Sequence, residues 1–117
     1  PYFPENHHMF NAETFKKMKP TAYFVNTARG KLVDEEALCH ALESGQIKGA
    51  AMDVFETEPN NVYPGLLKLD NVIMTPHIGS LTMRSRIAMC DEALAGLTTV
   101  MEGGVPHNVV NPSVFQK

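Results

Sequence analysis

Two cysteines, Cys39 in Ala-Leu-Cys-His-Ala and Cys90 in Ala-Met-Cys-Asp-Glu, are all the chain has. Each sits in a helical pattern without a neighbouring cysteine, which excludes a disulfide framework and leaves reduced, core-facing thiols. The histidines form no metal motif: His7 and His8 are adjacent, so their side chains should diverge, and His40 and His107 stand alone. No metal is expected. Basic charge is also in short supply. The net charge of −3 gives no electrostatic ground for a nucleic acid or an anionic membrane as partner. No apolar run approaches the length of a bilayer span, and no basic-then-apolar leader opens the chain, so the expected compartment is the cytoplasm. Internal repeats and low-complexity tracts are missing too.

What remains is an ordinary composition for a globular protein, 44% hydrophobic and 20% charged, in a chain of 117 residues that can bury one core. The opening Pro-Tyr-Phe-Pro-Glu-Asn-His-His has the look of a mid-fold connection. It reads as the start of a C-terminal fragment of a longer protein.

Start and stop signals divide the chain. Asn11 caps a short helix through Lys17 or Met18, with Phe10 and Phe15 as its hydrophobic staple and Pro20 as its stop. Ala22 to Asn26 is a short apolar, β-favouring run suited to a strand buried on both faces. Asp34 caps a second helix, in which Glu35 and Glu36 favour the dipole, Leu38, Ala41 and Leu42 share a face, and Gly45 ends the run. A second strand is expected over Ile47 to Phe55, where Gly49, Ala50 and Ala51 leave room for a close approach, and a third over Asn71 to Thr75. Strand, helix and strand with short connections make a βαβ unit, so the first two strands should be parallel. From Thr82 to Met101 the period changes. Met83, Ile87, Cys90, Leu94, Leu97 and Met101 form one apolar stripe, expected to pack on the sheet or on another domain, before Gly103-Gly104 stops the helix. Pro106 to Lys117 reads as an extended tail.

Three polar stretches fall where these strands end: Asn26-Thr27-Ala28-Arg29-Gly30, Asp53-Val54-Phe55-Glu56-Thr57-Glu58-Pro59 and Thr75-Pro76-His77-Ile78-Gly79. Ligands of open α/β sheets bind at the carboxyl ends of the strands. Arg29 offers a planar fork suited to a carboxylate, although a surface ion pair with Asp34 or Glu35 would account for it equally. His77 can pass a proton near neutral pH, and Glu58 beside it would orient the ring and favour its charged form. In water Glu58 would be a plain turn carboxylate, and Glu56 is the better candidate for mere solvation. Asp53, inside an apolar strand, needs a partner such as a ligand amide or a backbone amide.

Together the three stretches resemble the signature stretches of the D-isomer-specific 2-hydroxyacid dehydrogenases, in that family's order. The resemblance implies an α/β fold: half of a doubly wound, Rossmann-like parallel sheet of about three strands with a long C-terminal helix. Residues 1–103 would be the C-terminal part of a dinucleotide-binding domain including an interdomain helix, and 104–117 a tail returning to the substrate domain. It further implies that Arg29 binds the substrate carboxylate, that His77 is the acid/base, and that Glu58 pairs with it. Asp53 would hold the nicotinamide carboxamide, while Thr27, Ala28, Arg29, His77, Ile78, Gly79 and Ser80 would line the nicotinamide end of an NAD or NADP site. The implied reaction is hydride transfer between NAD(P)H and C2 of a small 2-keto or 2-hydroxy acid, in a homodimeric parent protein. Formate dehydrogenases carry Gln where this chain has Glu58, which disfavours that branch. The family's Gly-x-Gly-x-x-Gly turn and its ribose-binding acid are absent, and Gly103-Gly104 is no substitute, so the chain alone should be inactive. A non-enzymatic scaffold of the C-terminal-binding-protein corepressor type is the alternative, since fold does not separate the two.

Overall fold

A computed structural model describes residues 1–59 and 61–116; the end of the expected tail, Lys117, lies outside the described residues. The chain divides into two compact units, Pro1–Gly79 and Ser80–Lys117.

The first unit is built on one open sheet. Strands β1 (Tyr23–Asn26), β2 (Gly49–Met52) and β3 (Val72–Met74) are all parallel and lie in the order β1-β2-β3. The register sets Phe24, Ala50 and Val72 side by side on one face and Val25, Ala51 and Ile73 on the other. The first face covers a core of Phe15, Phe24, Leu38, Ile47, Met52 and Leu66. The second is open. Tyr23 and Val25 are each 63% exposed and Ile73 70%, which corrects the expectation that β1 is buried on both faces. The core elements of this unit all gather on the Phe24 side, so an apolar strand sequence is half covered. Burial by a second layer is what the run of apolar residues anticipates, and this unit supplies one layer.

Local chemistry explains the helices. The Asn11 side chain accepts the Glu13 and Thr14 N–H groups while the Thr14 hydroxyl accepts the Asn11 N–H, so α1 (Ala12–Lys16) carries the reciprocal cap of a short helix. Phe10 and Phe15 both meet Phe24 edge-on, at 4.9 and 5.3 Å between centroids. The helix closes before Pro20 because Lys17 and Met18 donate to the Thr14 and Phe15 carbonyls, a tighter turn that ends the α pattern. In α2 (Glu35–Glu43) the Asp34 carboxylate accepts the Ala37 N–H at 3.0 Å, and Gly45 takes φ +68° just past the end. Cys39 is buried on this helix, and burial, with Glu43 adding to it, pushes its thiol pKa up, as expected of an inert core cysteine.

Strand β2 is shorter than Ile47 to Phe55. Its last ladder bonds run from the Asp53 N–H to the Asn26 carbonyl and from the Thr75 N–H to the Met52 carbonyl, after which the chain leaves the sheet. Asp53 therefore stands just beyond the strand end and not within it. What approaches closely at Gly49 is the ring of Tyr23 on the neighbouring strand: a Cβ there would lie 3.0 Å from it.

The second unit centres on α3 (Met83–Met101), capped by the Thr82 hydroxyl, which accepts the Ser85 N–H at 3.1 Å. Gly103 at φ +80° ends it. The tail then doubles back, with Asn108 donating to the Glu92 carboxylate at 2.9 Å and His107 3.0 Å from the same oxygen. It closes in a 3-10 turn at Pro112–Phe115 and is not extended throughout. Cys90 is exposed, against the expectation of a core-facing thiol, and the apolar stripe is exposed in this chain, which leaves packing on another domain as the alternative of the two expected. One helix and a short tail supply no layer wide enough to cover a stripe of that length. No helix among the described residues is long and apolar enough to cross a membrane.

Candidate active site

Each of the three strands delivers its polar loop to the same end of the sheet. After β1, the buried side chain of Asn26 shapes the turn. Its Oδ1 accepts the Ala28 N–H and its Nδ2 donates to the Arg29 carbonyl, both at 3.0 Å, so Thr27 and Ala28 are held on the surface and Arg29 leaves the turn in an extended conformation. Gly30 follows because nothing larger fits: a Cβ there would collide with the carbonyl group of Phe55. The Arg29 guanidinium is exposed and donates to the Ala28 carbonyl at 2.6 Å. Among the described residues it makes no salt bridge, so the ion pair with Asp34 or Glu35 is not formed.

Beyond β2, Asp53 is 6% exposed and hydrogen-bonded within its own chain. Its Oδ1 accepts the Thr75 hydroxyl at 2.5 Å and the Ile78 N–H at 2.9 Å, and its Oδ2 accepts the Gly79 N–H at 2.8 Å. The Thr75 hydroxyl first, then the Ile78 amide, hold its pKa below the ordinary aspartate value despite burial. Backbone amides are thus partners of the carboxylate, and Asp53 fixes the loop that carries His77.

His77 follows Pro76 and adopts φ +55°, a left-handed conformation uncommon for a residue other than glycine. Its N–H donates to the Thr75 carbonyl. Its Nδ1 lies 2.6 Å from Glu58 Oε2, and Glu58 Oε1 accepts the Phe55 N–H at 2.8 Å. The hydrogen bond to His77, the Phe55 amide and, last, the Arg29 charge lower the pKa of Glu58. Arg29, Glu58 and His77 line one cleft of about 470 Å³, together with Tyr2, Phe55 and Glu56. Thr27 and Ala28 sit at the rim of β1, Ile78 and Gly79 on the Asp53 carboxylate, and Ser80 opens the second unit.

Several residues here escaped the sequence reading. Glu56 is no solvated turn residue: its carboxylate is 2.8 Å from His8 Nε2. His7 and His8 do not diverge; a left-handed φ of +49° at His8 stacks the rings at 3.9 Å between centroids. Ligand atoms of His7, His8 and Glu56 thus come within 4.8 Å of one another, a proximity that adjacency in sequence did not suggest. Stacked rings cannot both present a lone pair to one ion in the ring plane without one of them turning. Glu35, expected to be a dipole-favouring surface acid, is buried, and its two oxygens accept the Glu56 and Tyr63 N–H groups. An acid three residues before an apolar helix position gives no sign, in one sequence, of which distant amides it will meet.

Known proteins resemble this chain in sequence and in fold. Residues 1–79 match the family described as D-isomer specific 2-hydroxyacid dehydrogenase, NAD binding domain. Over 114 residues the chain is 48% identical to glyoxylate/hydroxypyruvate reductase B of Shigella boydii serotype 4, a match covering 97% of this chain and 35% of that protein. It superposes on the D-isomer specific 2-hydroxyacid dehydrogenase of Lactobacillus delbrueckii ssp. bulgaricus, in its NAD complexed form, with TM-score 0.82 and 35% identity over 95% of this chain and 38% of that one. With the NADPH-dependent glyoxylate/hydroxypyruvate reductase of Sinorhizobium meliloti, solved with NADP and malonate, the TM-score is 0.78 and the identity 38%, over 85% of this chain and 31% of the other. The chain spans about a third of the length of these relatives.

Proposed function

The chain belongs to the D-isomer-specific 2-hydroxyacid dehydrogenase family, and from that premise we propose that it supplies the acid/base half of an NAD(P)-dependent dehydrogenase acting on a small 2-keto or 2-hydroxy acid. One observation carries the reading: Arg29, Glu58 and His77, from three different loops, face a single cleft, with Glu58 hydrogen-bonded to His77. The relatives named for glyoxylate and hydroxypyruvate reduction support a substrate of two or three carbons.

The residues present fit the nicotinamide end of a dinucleotide. Asp53 Oδ1 already takes two donors, whereas Oδ2 takes only the Gly79 amide and keeps capacity for a carboxamide N–H. A Cβ at Gly79 would come 3.0 Å from that oxygen, so glycine keeps it open. Thr27, Ala28, Ile78, Gly79 and Ser80 would flank the ring. When bound, the cofactor supplies hydride chemistry at C4. The protein does the rest. Arg29 grips the substrate carboxylate and polarises its C2 oxygen, and His77 gives that oxygen a proton in reduction or removes it in oxidation. Glu58 stabilises the protonated ring and fixes which nitrogen faces the substrate, because Nδ1 is occupied and Nε2 is left for the transfer.

Residues 1–103 form, in this reading, the C-terminal part of the dinucleotide-binding domain, with 104–117 leading back to a substrate domain, in a homodimeric cytoplasmic enzyme. The test is an assay of the full-length protein with NADH and NADPH against glyoxylate, hydroxypyruvate and pyruvate. Dinucleotide oxidation that is lost in His77→Gln is the expected result. Turnover that survives that substitution would remove His77 from the chemistry.

A further inference from the structure

We propose that Glu35 is the residue that positions the Glu58–His77 pair, although it lies on a helix outside the cleft. The proposal rests on the acid/base reading above. Glu35 opens α2 and is 5% exposed. One carboxylate oxygen accepts the Glu56 N–H at 2.6 Å and the other the Tyr63 N–H at 2.9 Å. These amides bracket the loop that holds Glu58, so a single side chain ties both of its stems to the helix.

Among the described residues, Phe55, Val62 and Tyr63 pack against the core at the two ends of the loop. Within it, Asn61 donates to the Thr57 carbonyl, and Glu58 Oε1 accepts the Phe55 N–H, the amide immediately before the one Glu35 holds. The orientation of Phe55–Glu56 therefore passes to the Glu58 carboxylate and from there to Nδ1 of His77. On the other side of Glu56, His8 holds its carboxylate, so the backbone and the side chain of one residue are gripped by separate elements. The Gly30 contact with the Phe55 carbonyl adds that Arg29 is registered against the same peptide. Position of a catalytic group to within about half an ångström is what such supporting bonds provide.

The residue type is specific to the task. A carboxylate has two acceptor oxygens and no donor, which suits two separate N–H groups. Glutamine at this position keeps the size but turns one end into an NH2 facing an N–H. Aspartate keeps both acceptors on a stem one methylene shorter, which reaches one amide but not both.

The test uses the full-length protein and compares Glu35→Gln, Glu58→Gln and the double variant. Three quantities are read: the pH–rate profile of reduction with saturating cofactor, the dinucleotide Kd, and amide hydrogen exchange over 55–63. Glu35→Gln should speed exchange at Glu56 and Tyr63, lower kcat/KM about tenfold, leave the dinucleotide Kd in place, and move the alkaline limb in the same direction as Glu58→Gln. The double variant should show no further movement of that limb, because both changes act on one pair. A Glu35→Gln limb that stays in place while Glu58→Gln moves it, or shifts that add in the double variant, would overturn the proposal and leave the acid/base reading intact. A limb that Glu58→Gln itself fails to move overturns that reading instead, and the proposal with it. Should Glu35→Gln fail to fold, Glu35→Asp serves as the variant, judged by the same three quantities.

Discussion

Glu58 touches His77 with one carboxylate oxygen, at 2.6 Å, and its own backbone neighbourhood with the other, at 2.8 Å from the Phe55 amide. The counter-charge of the histidine is thus anchored and not swinging on a loop. Removing it has a directional consequence. On the proposed mechanism His77 carries a proton in reduction, and Glu58→Gln takes away the charge that favours the protonated ring. The alkaline fall-off of the reduction rate should move to lower pH, and oxidation, which needs the neutral ring, should persist to lower pH than before. Paired pH–rate profiles of the full-length variant check this. Two unmoved profiles would remove Glu58 from the acid/base chemistry.

Arg29 is extended, exposed and without an ion pair among the described residues, a state in which its fork is available to an anion. Arg29→Lys in the full-length protein should lower kcat/KM by about two orders of magnitude or more, with dinucleotide affinity little changed. Steady-state kinetics with a 2-keto acid measures it. Wild-type values in the variant would mean that the arginine serves the surface alone.

Gly30 has no room for a methyl group, since a Cβ would overlap the Phe55 carbonyl backbone. Gly30→Ala must push the Arg29 turn away from the Glu58 loop, and the expected result is a destabilisation of about 1–3 kcal/mol together with a loss of turnover larger than the loss of folded protein. Thermal unfolding alongside activity per folded molecule separates the two. Turnover that falls only in proportion to folded protein would show that the contact matters to stability and not to the site.

The Asp53 cage makes a pH prediction of definite sign. Its pKa is lowered from an ordinary value of 3.8, so its contribution to stability is fully present above that value and is lost as pH falls through the lowered one. The side-chain carboxyl resonance of Asp53 should therefore titrate only below pH 3.8, and the Ile78 and Gly79 amides should follow it through that range. An Asp53 carboxyl resonance that titrates at higher pH would place it outside the network.

The 117-residue chain by itself carries no Gly-x-Gly-x-x-Gly turn to cradle a pyrophosphate, and it exposes Tyr23, Val25 and Ile73 on one face of its sheet. It should bind NAD(H) or NADP(H) very weakly, show no turnover, and self-associate. Calorimetric titration and sedimentation of the isolated polypeptide read all of this. Micromolar dinucleotide binding by the chain alone would contradict it.

How much of this was legible beforehand differs by kind of residue. Caps and stops were readable because their chemistry is local: Asn11 and Asp34 accept amides within a turn of themselves, and Gly45 and Gly103 donate to carbonyls within a turn at a positive φ. That Arg29, Glu58 and His77 meet in one cleft was readable because each follows a strand of the same parallel sheet. Glu35, Glu56 and His8 were not, since each one's role depends on an amide or ring from a distant loop, and an isolated sequence carries no record of such meetings. Burial failed for a different reason. Apolar pattern reports how much cover an element needs, as in β1 and α3, and does not say whether this stretch of chain provides it.

The Asp53 cage also fixes an order in time. All three of its donors, from Thr75, Ile78 and Gly79, lie after the last strand, whereas the carboxylate directly follows β2. While the chain is being made, a growing polypeptide that has reached β2 but not Gly79 holds a carboxylate that cannot be buried without penalty. The turn that follows β2 should therefore settle only once the His77 loop has emerged, and that loop becomes a condition for closing this end of the sheet and not a passenger on it.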